Sequence, residues 1–127
     1  MTKRERPEAK IQKALIRFLE DRGWLVEPTH GSAYQKGFPD LWCYHPQYGY
    51  RWIDCKVEGR YSFTKAQKIK WSEWATHGVG IWILTEATEV AYDKLFREPN
   101  WSDYWKESWG VLPNVQELLR DLWENDE

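Results

Sequence analysis

The chain has 127 residues with a formal net charge of −2, and ten of its residues are tryptophans. A chain of this length can bury one hydrophobic core but not two, and none of its apolar runs approaches the ~18 residues of a membrane span, so we expect a single domain with no membrane partner. The near-neutral charge excludes a globally cationic surface, so any contact with nucleic acid must use a local basic patch.

The first predicted elements are a basic arm, a helix and a strand. Residues 1–6 carry three basic side chains and form either a solvated terminus or an arm that contacts phosphate. The helix is predicted from Pro7, which suits a first helical turn, to Gly23, which suits a left-handed cap. A strand is predicted at residues 24–27. The apolar stripe of the helix consists of Ile11, Ala14, Leu15, Phe18 and Leu19.

A polar loop, two strands and a turn follow. The loop covers residues 29–37, the strands cover 40–44 and 50–57, and the turn lies between them. Because strand side chains alternate, Asp54 and Lys56 lie on the face opposite the core, which we expect to meet solvent or a cleft. The residues that alternation places on the core face are Leu41, Cys43, Ile53, Cys55 and Val57.

The two cysteines, Cys43 and Cys55, both fall in these apolar runs. We predict buried free thiols rather than a disulfide, because neither thiol stands in an exposed turn. Free thiols suit a reducing compartment, so the sequence favours a cytoplasmic location.

The next predicted elements are a helix, a strand and a second helix. The first helix covers residues 65–77 and has Ser62 or Thr64 as its N-cap. A continuous apolar run at residues 80–84 predicts a buried strand. A further helix is predicted at residues 86–96, with Val90, Ala91 and Leu95 as its apolar side chains.

The tail, residues 97–127, is rich in tryptophan and includes a predicted final helix that begins at Asn114. Its aromatic side chains are open to three interpretations: a lid packed over the sheet, a base-stacking surface or a dimer contact. The acidic end of the tail argues against nucleic acid running over the last helix.

Two carboxylates, Asp40 and Asp54, stand on strands joined by one turn, and Lys56 follows two residues after Asp54. Carboxylate oxygens suit Mg²⁺, which binds few protein ligands and keeps several waters. Lys56 shares the face of Asp54, where a cation can hold an attacking water and offset charge that builds on phosphorus. The pattern is typical of metal-dependent phosphodiester hydrolysis, and the alternative is a plain solvated strand face.

These residues also match a known motif. Pro39-Asp40 followed by Asp54-Cys55-Lys56 resembles the PD-(D/E)XK nuclease superfamily, and more closely its VRR-NUC branch of small stand-alone phage-type nucleases. The resemblance covers about residues 8–95. Further matches in family order are Glu8-x-x-x-Gln12, Gly23-Trp24 after the first helix, and Ser62 to Gln67 at the start of the next helix.

The resemblance implies an α/β fold with a restriction-endonuclease-like core. That core consists of a helix, a mixed sheet of about four strands and a second helix, followed by a C-terminal helical extension. We therefore predict a nuclease core at residues 1–96 and a tryptophan-rich extension at residues 97–127, packed on the same domain. A phage-encoded protein acting in the host cytosol fits this branch.

The resemblance also implies a metal site. Asp40, Asp54 and the backbone carbonyl of Cys55 would bind Mg²⁺, with Mn²⁺ as the alternative ion, and Glu8 would help through water. The acid of the second motif is aspartate here rather than the commoner glutamate, which shortens its reach toward the metal. No nucleotide cofactor is expected.

Two polar side chains complete the predicted catalytic set. Lys56 would orient or activate the nucleophile, and Gln67 would position Lys56 or the water. We expect the basic side chains near the site to contact the phosphate backbone of DNA. The DNA-contacting residues predicted in this way are Lys36, Arg60, Lys65 and Lys68.

The function predicted from the resemblance is metal-dependent DNA endonuclease activity. The substrate is either a branched structure, as for a junction resolvase, or a specific sequence, as for a homing or restriction enzyme. Cutting both strands needs two sites, so we expect a homodimer. The competing hypothesis is a catalytically inactive DNA-binding or protein-interaction module on the same fold.

Overall fold

The computed structural model describes residues 6–29 and 36–104 of the chain. Within these residues the helices and strands occur in the predicted order, and a short 3₁₀ helix, Lys94–Phe96, follows the last of them. The elements are α1 (Pro7–Glu20), β1 (Leu25–Pro28), β2 (Leu41–His45), β3 (Gly49–Cys55), α2 (Lys65–Thr76), β4 (Ile81–Leu84) and α3 (Glu89–Asp93).

The four strands form one sheet in the order β1-β2-β3-β4. The β1-β2 and β2-β3 pairs are antiparallel, whereas β3 and β4 are parallel. A parallel pair needs a crossover connection, and α2 supplies it. The predicted α/β fold with a mixed sheet of four strands is confirmed.

The sheet has two covered faces. On the first, which we call the α1 face, Leu15 and Leu19 of α1 pack with Leu41, Ile53 and other buried residues of the strands. On the second, the α2 face, a smaller aromatic cluster surrounds Trp71 of α2. The two clusters are separated by the strands themselves, because successive strand side chains point to opposite faces.

The expectation that Asp54 and Lys56 meet solvent or a cleft is wrong. Asp54 is 1% exposed and Lys56 is 5% exposed. Both lie on the α2 side of the sheet: Asp54 pairs with Ile83 of the aromatic cluster, and Lys56 packs against Phe63 and Trp71. The alternation correctly placed Asp54 and Lys56 on the face of the sheet opposite the α1 core, but the crossover helix α2 packs over that face.

Two helix boundaries depend on capping threonines. The side chain of Thr64 accepts a hydrogen bond from the amide of Gln67, so Thr64 is the N-cap of α2. Thr88 caps α3 in the same way, and α3 therefore begins at Glu89 rather than at the predicted residue 86. Val90, predicted as a core residue of this helix, is 70% exposed.

Trp101 and Tyr104 pack on the α2 side of the sheet. Trp101 is 8% exposed and contacts Trp71 edge to face, with ring centroids 6.1 Å apart. The side chain of Asn100 bonds to both the amide and the carbonyl of Ile83, so it extends the hydrogen bonding of β4 beyond the sheet. The predicted Asn114 helix and the division of the chain at residue 97 involve residues outside the described part.

Within residues 6–29 and 36–104, none of the helices combines the length and the apolar character that a membrane crossing requires.

Candidate active site

The loop before β2 is fixed against the N-terminus of α2. Gly37 has a φ of +85°, and a Cβ at this position would lie 2.8 Å from the carbonyl carbon and oxygen of Ala66. Only glycine fits such a close approach with this backbone conformation. The indole nitrogen of Trp71 donates a 2.8 Å hydrogen bond to the carbonyl of Gly37, which holds the loop on the helix.

The two predicted catalytic carboxylates are linked through the backbone. The amide of Asp40 donates to Asp54 Oδ1 at 3.2 Å, and the amide of Cys55 donates to Asp40 Oδ2 at 2.8 Å. Asp40 lies just before β2, and its neighbour Leu41 pairs with Ile53. The register of β2 and β3 therefore brings the two halves of the motif side by side.

Lys56 stands against Asp54. Its ammonium nitrogen lies 2.9 Å from Asp54 Oδ2, so the two side chains form a buried ion pair. Burial, together with the charge of Asp40, raises the pKa of Asp54 from 3.8 to about 8, although the charge of Lys56 acts in the opposite direction. One cation does not offset the cost of burying two neighbouring carboxylates.

Gln67 connects Lys56 to the start of α2. Its Oε1 accepts from Lys56 Nζ at 3.3 Å and from the amide of Thr64 at 3.1 Å. The amide of Gln67 in turn donates to Thr64 Oγ1 at 3.1 Å. This reciprocal capping box fixes the Gln67 side chain in the first turn of α2, with its oxygen directed at the Lys56 ammonium.

Two aromatic rings also surround Lys56. The ammonium lies 4.8 Å from the ring centroid of Phe63 and 5.7 Å from that of Trp71. Their electron-rich faces stabilise a partly desolvated cation. Sequence reasoning did not assign Phe63 to the site, because a single aromatic residue in a loop has no periodic signal that places it.

Glu8 is in the first turn of α1 and its side chain is exposed. Burial is the main cause that raises the pKa of the Cys55 thiol, and the negative charges of Asp40, Asp54 and Glu8 contribute in the same direction. Glu8 therefore lies within electrostatic reach of Cys55, on the side of the sheet that α1 covers.

The predicted DNA-contacting residues are distributed around this region. Lys36 and Lys65 are exposed, and each lies one residue from the contact between Gly37 and Ala66. Lys68 is half-buried, and burial lowers its pKa. Exposed Arg60 closes the turn after Lys56 through a 2.9 Å bond from its amide to the carbonyl of Val57.

A surface pocket of about 540 Å³ lies apart from the carboxylates. Its lining includes Tyr61, Lys94, Arg97 and Tyr104, and none of the predicted catalytic residues borders it. Acidic and basic side chains are mixed along its wall. We therefore place the candidate active site at the carboxylate pair, where the ionisable groups are buried together and one has a strongly shifted pKa.

The fold provides an independent comparison. A solved structure described as a VRR_NUC domain superposes on 72% of this chain and on 96% of its own chain, with a TM-score of 0.58 and 22% sequence identity. The chain has a VRR-NUC-like fold. Neither a scan of protein-family models nor a search of curated proteins gave a match. The VRR-NUC-like fold confirms the resemblance derived from the motif at the level of architecture.

The residues of the VRR-NUC-like core fit a divalent cation in their chemistry. Within the part of the chain that the structure describes, the buried Asp54 Oδ2 has only its ion pair with Lys56 and no further hydrogen-bond partner, and the neighbouring Asp40 carboxylate raises the pKa of Asp54. Hard oxygen ligands with excess negative charge suit Mg²⁺. Among the described residues, no three His, Cys, Asp or Glu side chains converge on one ion position, so any side-chain ligation there rests on this pair.

Proposed function

We propose that the chain is a metal-dependent endonuclease that hydrolyses phosphodiester bonds in DNA. The observation that carries the proposal is the group formed by Asp40, Asp54, Lys56 and Gln67 on a VRR-NUC-like fold. Two adjacent carboxylates and a cation held by a capped glutamine make a site for a phosphate rather than for a neutral substrate.

Asp40, Asp54 and the backbone carbonyl of Cys55 would hold Mg²⁺, or Mn²⁺ in its place, with Glu8 acting through water. When bound, the ion polarises the phosphate and lowers the pKa of a bound water. The chain itself restricts access to the reacting atoms. Asp40 is half-buried whereas Asp54 and Lys56 are buried, so the scissile phosphate approaches from the side of Asp40.

Lys56 is the group that orients the attacking water and offsets the charge that develops on the phosphoryl oxygens. Its ammonium has contacts with Asp54 and Gln67 and with two aromatic rings, which together restrict it to one position. A positioned charge needs little reorganisation during the reaction. Gln67 acts as a positioning residue because it reaches the reacting atoms through Lys56.

Lys36, Arg60, Lys65 and Lys68 are proposed to contact the DNA backbone, and the enzyme is proposed to act as a homodimer. Two sites related by a two-fold axis can cut both strands of a duplex or of a symmetric junction. Trp101, one of the tail aromatic residues for which a dimer contact is an open interpretation, is buried against Trp71 and is not available for one. Half-buried Tyr104 packs edge to face with Tyr61, and the tail beyond residue 104 lies outside the described residues.

The proposal is tested with a panel of labelled DNA substrates: duplex, nicked, flapped and four-way-junction DNA. Each is incubated with Mg²⁺, with Mn²⁺ and with chelator. We expect cleavage that requires metal and that falls about 10²-fold or more in Lys56→Met. A folded wild-type protein that binds these DNAs but cleaves none of them would instead be an inactive binding module.

A further inference from the structure

A strip of aromatic side chains continues from the carboxylate pair along the α2 face of the sheet. Trp42 pairs with Trp52, and Tyr44 pairs with Tyr50, in successive rows between β2 and β3. Directly paired residues share a face, and the register places these rows on the same face as Asp54. We call Trp42, Tyr44 and Tyr50 the aromatic strip.

Helix α2 covers only the beginning of these rows. Trp52 packs against Trp74 of α2 and against Phe38, with ring centroids 5.0 and 5.8 Å away. Beyond it, no element of the described residues 6–29 and 36–104 covers the rings fully: Tyr44 is 41% exposed and Tyr50 is 49% exposed. The rings of Trp42 and Tyr44 are nearly parallel, at 13°, with centroids 6.3 Å apart.

We propose that the aromatic strip binds unpaired bases of the DNA strand whose phosphate lies at the carboxylate pair. This inference rests on the proposed function and specifies its substrate: DNA with a few unpaired nucleotides next to the cut. Exposed aromatic rings stack on bases of any sequence because every base has a π-face.

The spacing of the strip favours an unpaired strand over a duplex. Two residues along a β-strand span ~6.7 Å, which is about twice the ~3.4 Å rise per nucleotide of one strand in a duplex. Bases that remain stacked in a duplex cannot meet successive rows at that interval. An unstacked, extended strand can place one base on each row that follows Asp54.

The charges around the strip orient such a strand. Glu27 pairs with Trp42 on the β1 side, where it repels phosphate. On the α2 side, Lys70 lies 4.8 Å from the ring of Phe38, and Lys36 and Lys65 lie near the same loop. A DNA strand with its phosphates toward α2 and its bases over the aromatic strip avoids Glu27 and lies near the lysines.

The size of the strip argues against a second copy of the chain as the occupant. Aromatic side chains present 150–250 Å² each, so half-exposed Tyr44, Tyr50 and their neighbour Leu25 offer roughly 300 Å² together. A stable protein interface buries about 800 Å² per partner. A few unpaired bases match the smaller area.

The test compares binding of a short single strand with binding of a blunt duplex by fluorescence anisotropy, in chelator so that neither is cut. In Tyr44→Ala/Tyr50→Ala we expect the preference for the single strand to fall about 10-fold for each ring lost. Tyr44→Phe/Tyr50→Phe keeps the rings and should keep the preference. Phe96→Ala is the control, because Phe96 is 42% exposed but lies beside α3.

Cleavage in Mg²⁺ and light scattering, run on the same folded variants, separate the outcomes. If the alanine double variant keeps its preference for the single strand while the wild type still cleaves DNA, the aromatic strip does not bind bases. The proposed nuclease function is then unaffected. A shift from dimer to monomer in that variant would also contradict base binding, because it would show that the aromatic strip is a contact between two copies of the chain. If the alanine double variant loses single-strand binding but the wild type cleaves no DNA, the proposed nuclease activity is wrong. Base binding by the aromatic strip is then still supported.

Discussion

Asp40 Oδ2 accepts a 2.8 Å hydrogen bond from the backbone amide of Cys55, so one oxygen of the first motif carboxylate is committed to the strand that carries the second. The bond fixes the distance between the two halves of the motif. It also holds the backbone of Cys55, whose carbonyl is a proposed metal ligand. Asp40 therefore has a structural role and a proposed catalytic role that can be measured separately.

We predict that Asp40→Asn and Asp40→Ala are both inactive but differ in stability. Asparagine retains an acceptor for the Cys55 amide, whereas alanine leaves that buried donor unpaired, which costs about 1–3 kcal/mol. Urea unfolding and cleavage assays on both variants check this. Equal loss of stability in the two variants would show that the bond to Cys55 contributes nothing measurable.

Stability without metal should depend on pH through Asp54. Its folded pKa of about 8 lies above the ordinary 3.8, so between these values the folded state keeps a proton that the unfolded chain has lost. The free energy of unfolding therefore falls as pH rises through this window, by at most about 1.4 kcal/mol per unit. Urea unfolding in chelator at several pH values measures the slope.

Asp54→Asn should have a flatter profile, because asparagine imitates the neutral acid at every pH. Asp93→Asn is the control, since Asp93 is exposed and pairs with Arg97 on the surface. Mg²⁺ should flatten the wild-type profile, because a nearby cation favours the ionised carboxylate. An unchanged slope in Asp54→Asn would exclude Asp54 as the titrating group.

The dual role of Gln67 can be tested against its capping partner. Gln67→Ala and Thr64→Ala each remove half of the capping box and should each lower stability by about 1 kcal/mol. Only Gln67→Ala also removes the 3.3 Å contact with Lys56 Nζ, so only this variant should lower the cleavage rate strongly with an unchanged KM. Equal rates in the two variants would reduce Gln67 to a helix cap.

The sequence predicted the elements whose signals are local. Each of these signals is visible within a few residues: the Pro7 start of α1, the apolar run of β4 and the alternation in β3. The fold was predicted from the resemblance of the motif to a known family. Burial of Asp54 and Lys56 could not be predicted in this way, because it depends on where a crossover helix packs.

Contacts between residues far apart in the chain were also missed for a physical reason. Asn100 bonds to Ile83 through its side chain, and an asparagine in a loop has many equivalent partners before the fold is known. Phe63 lies near Lys56 only because the loop before α2 folds back over β3. Neither contact has a period that sequence reasoning can detect.

Gly37 should be far less tolerant of substitution than Gly59. Both have positive φ, but a Cβ at Gly59 meets nothing within 4 Å, whereas one at Gly37 meets the Ala66 backbone at 2.8 Å. Gly59→Ala therefore measures the conformational cost alone, about 1–2 kcal/mol. Gly37→Ala should cost more and should also reduce cleavage, because it moves the loop that carries Asp40.

Urea unfolding gives the difference in stability between these two alanine variants, and cleavage of the preferred DNA gives the difference in rate. Equal stability in the two would mean that the loop moves away from α2 without loss, and the contact with Trp71 would then be dispensable.

The N-terminal part of α2 should contribute a general affinity for DNA. Each phosphate contact that is lost reduces the slope of log K against log salt by about 0.9. If Lys65 and Lys68 both contact phosphate, Lys65→Ala/Lys68→Ala should lower that slope by about 2 units and weaken all DNA sequences alike. Binding of Mg²⁺ should be unchanged, since neither lysine belongs to the carboxylate pair.

Lys13→Ala/Arg17→Ala is the matched control, because it removes the same charge from α1, across the sheet from α2. Anisotropy titrations over a range of salt concentrations compare the two variants. Equal slopes would show that the loss follows net charge and not position, and α2 would no longer be a phosphate-binding element. A lower slope in the α2 variant alone places the DNA backbone along the side of the sheet where Lys56 and the carboxylates are buried.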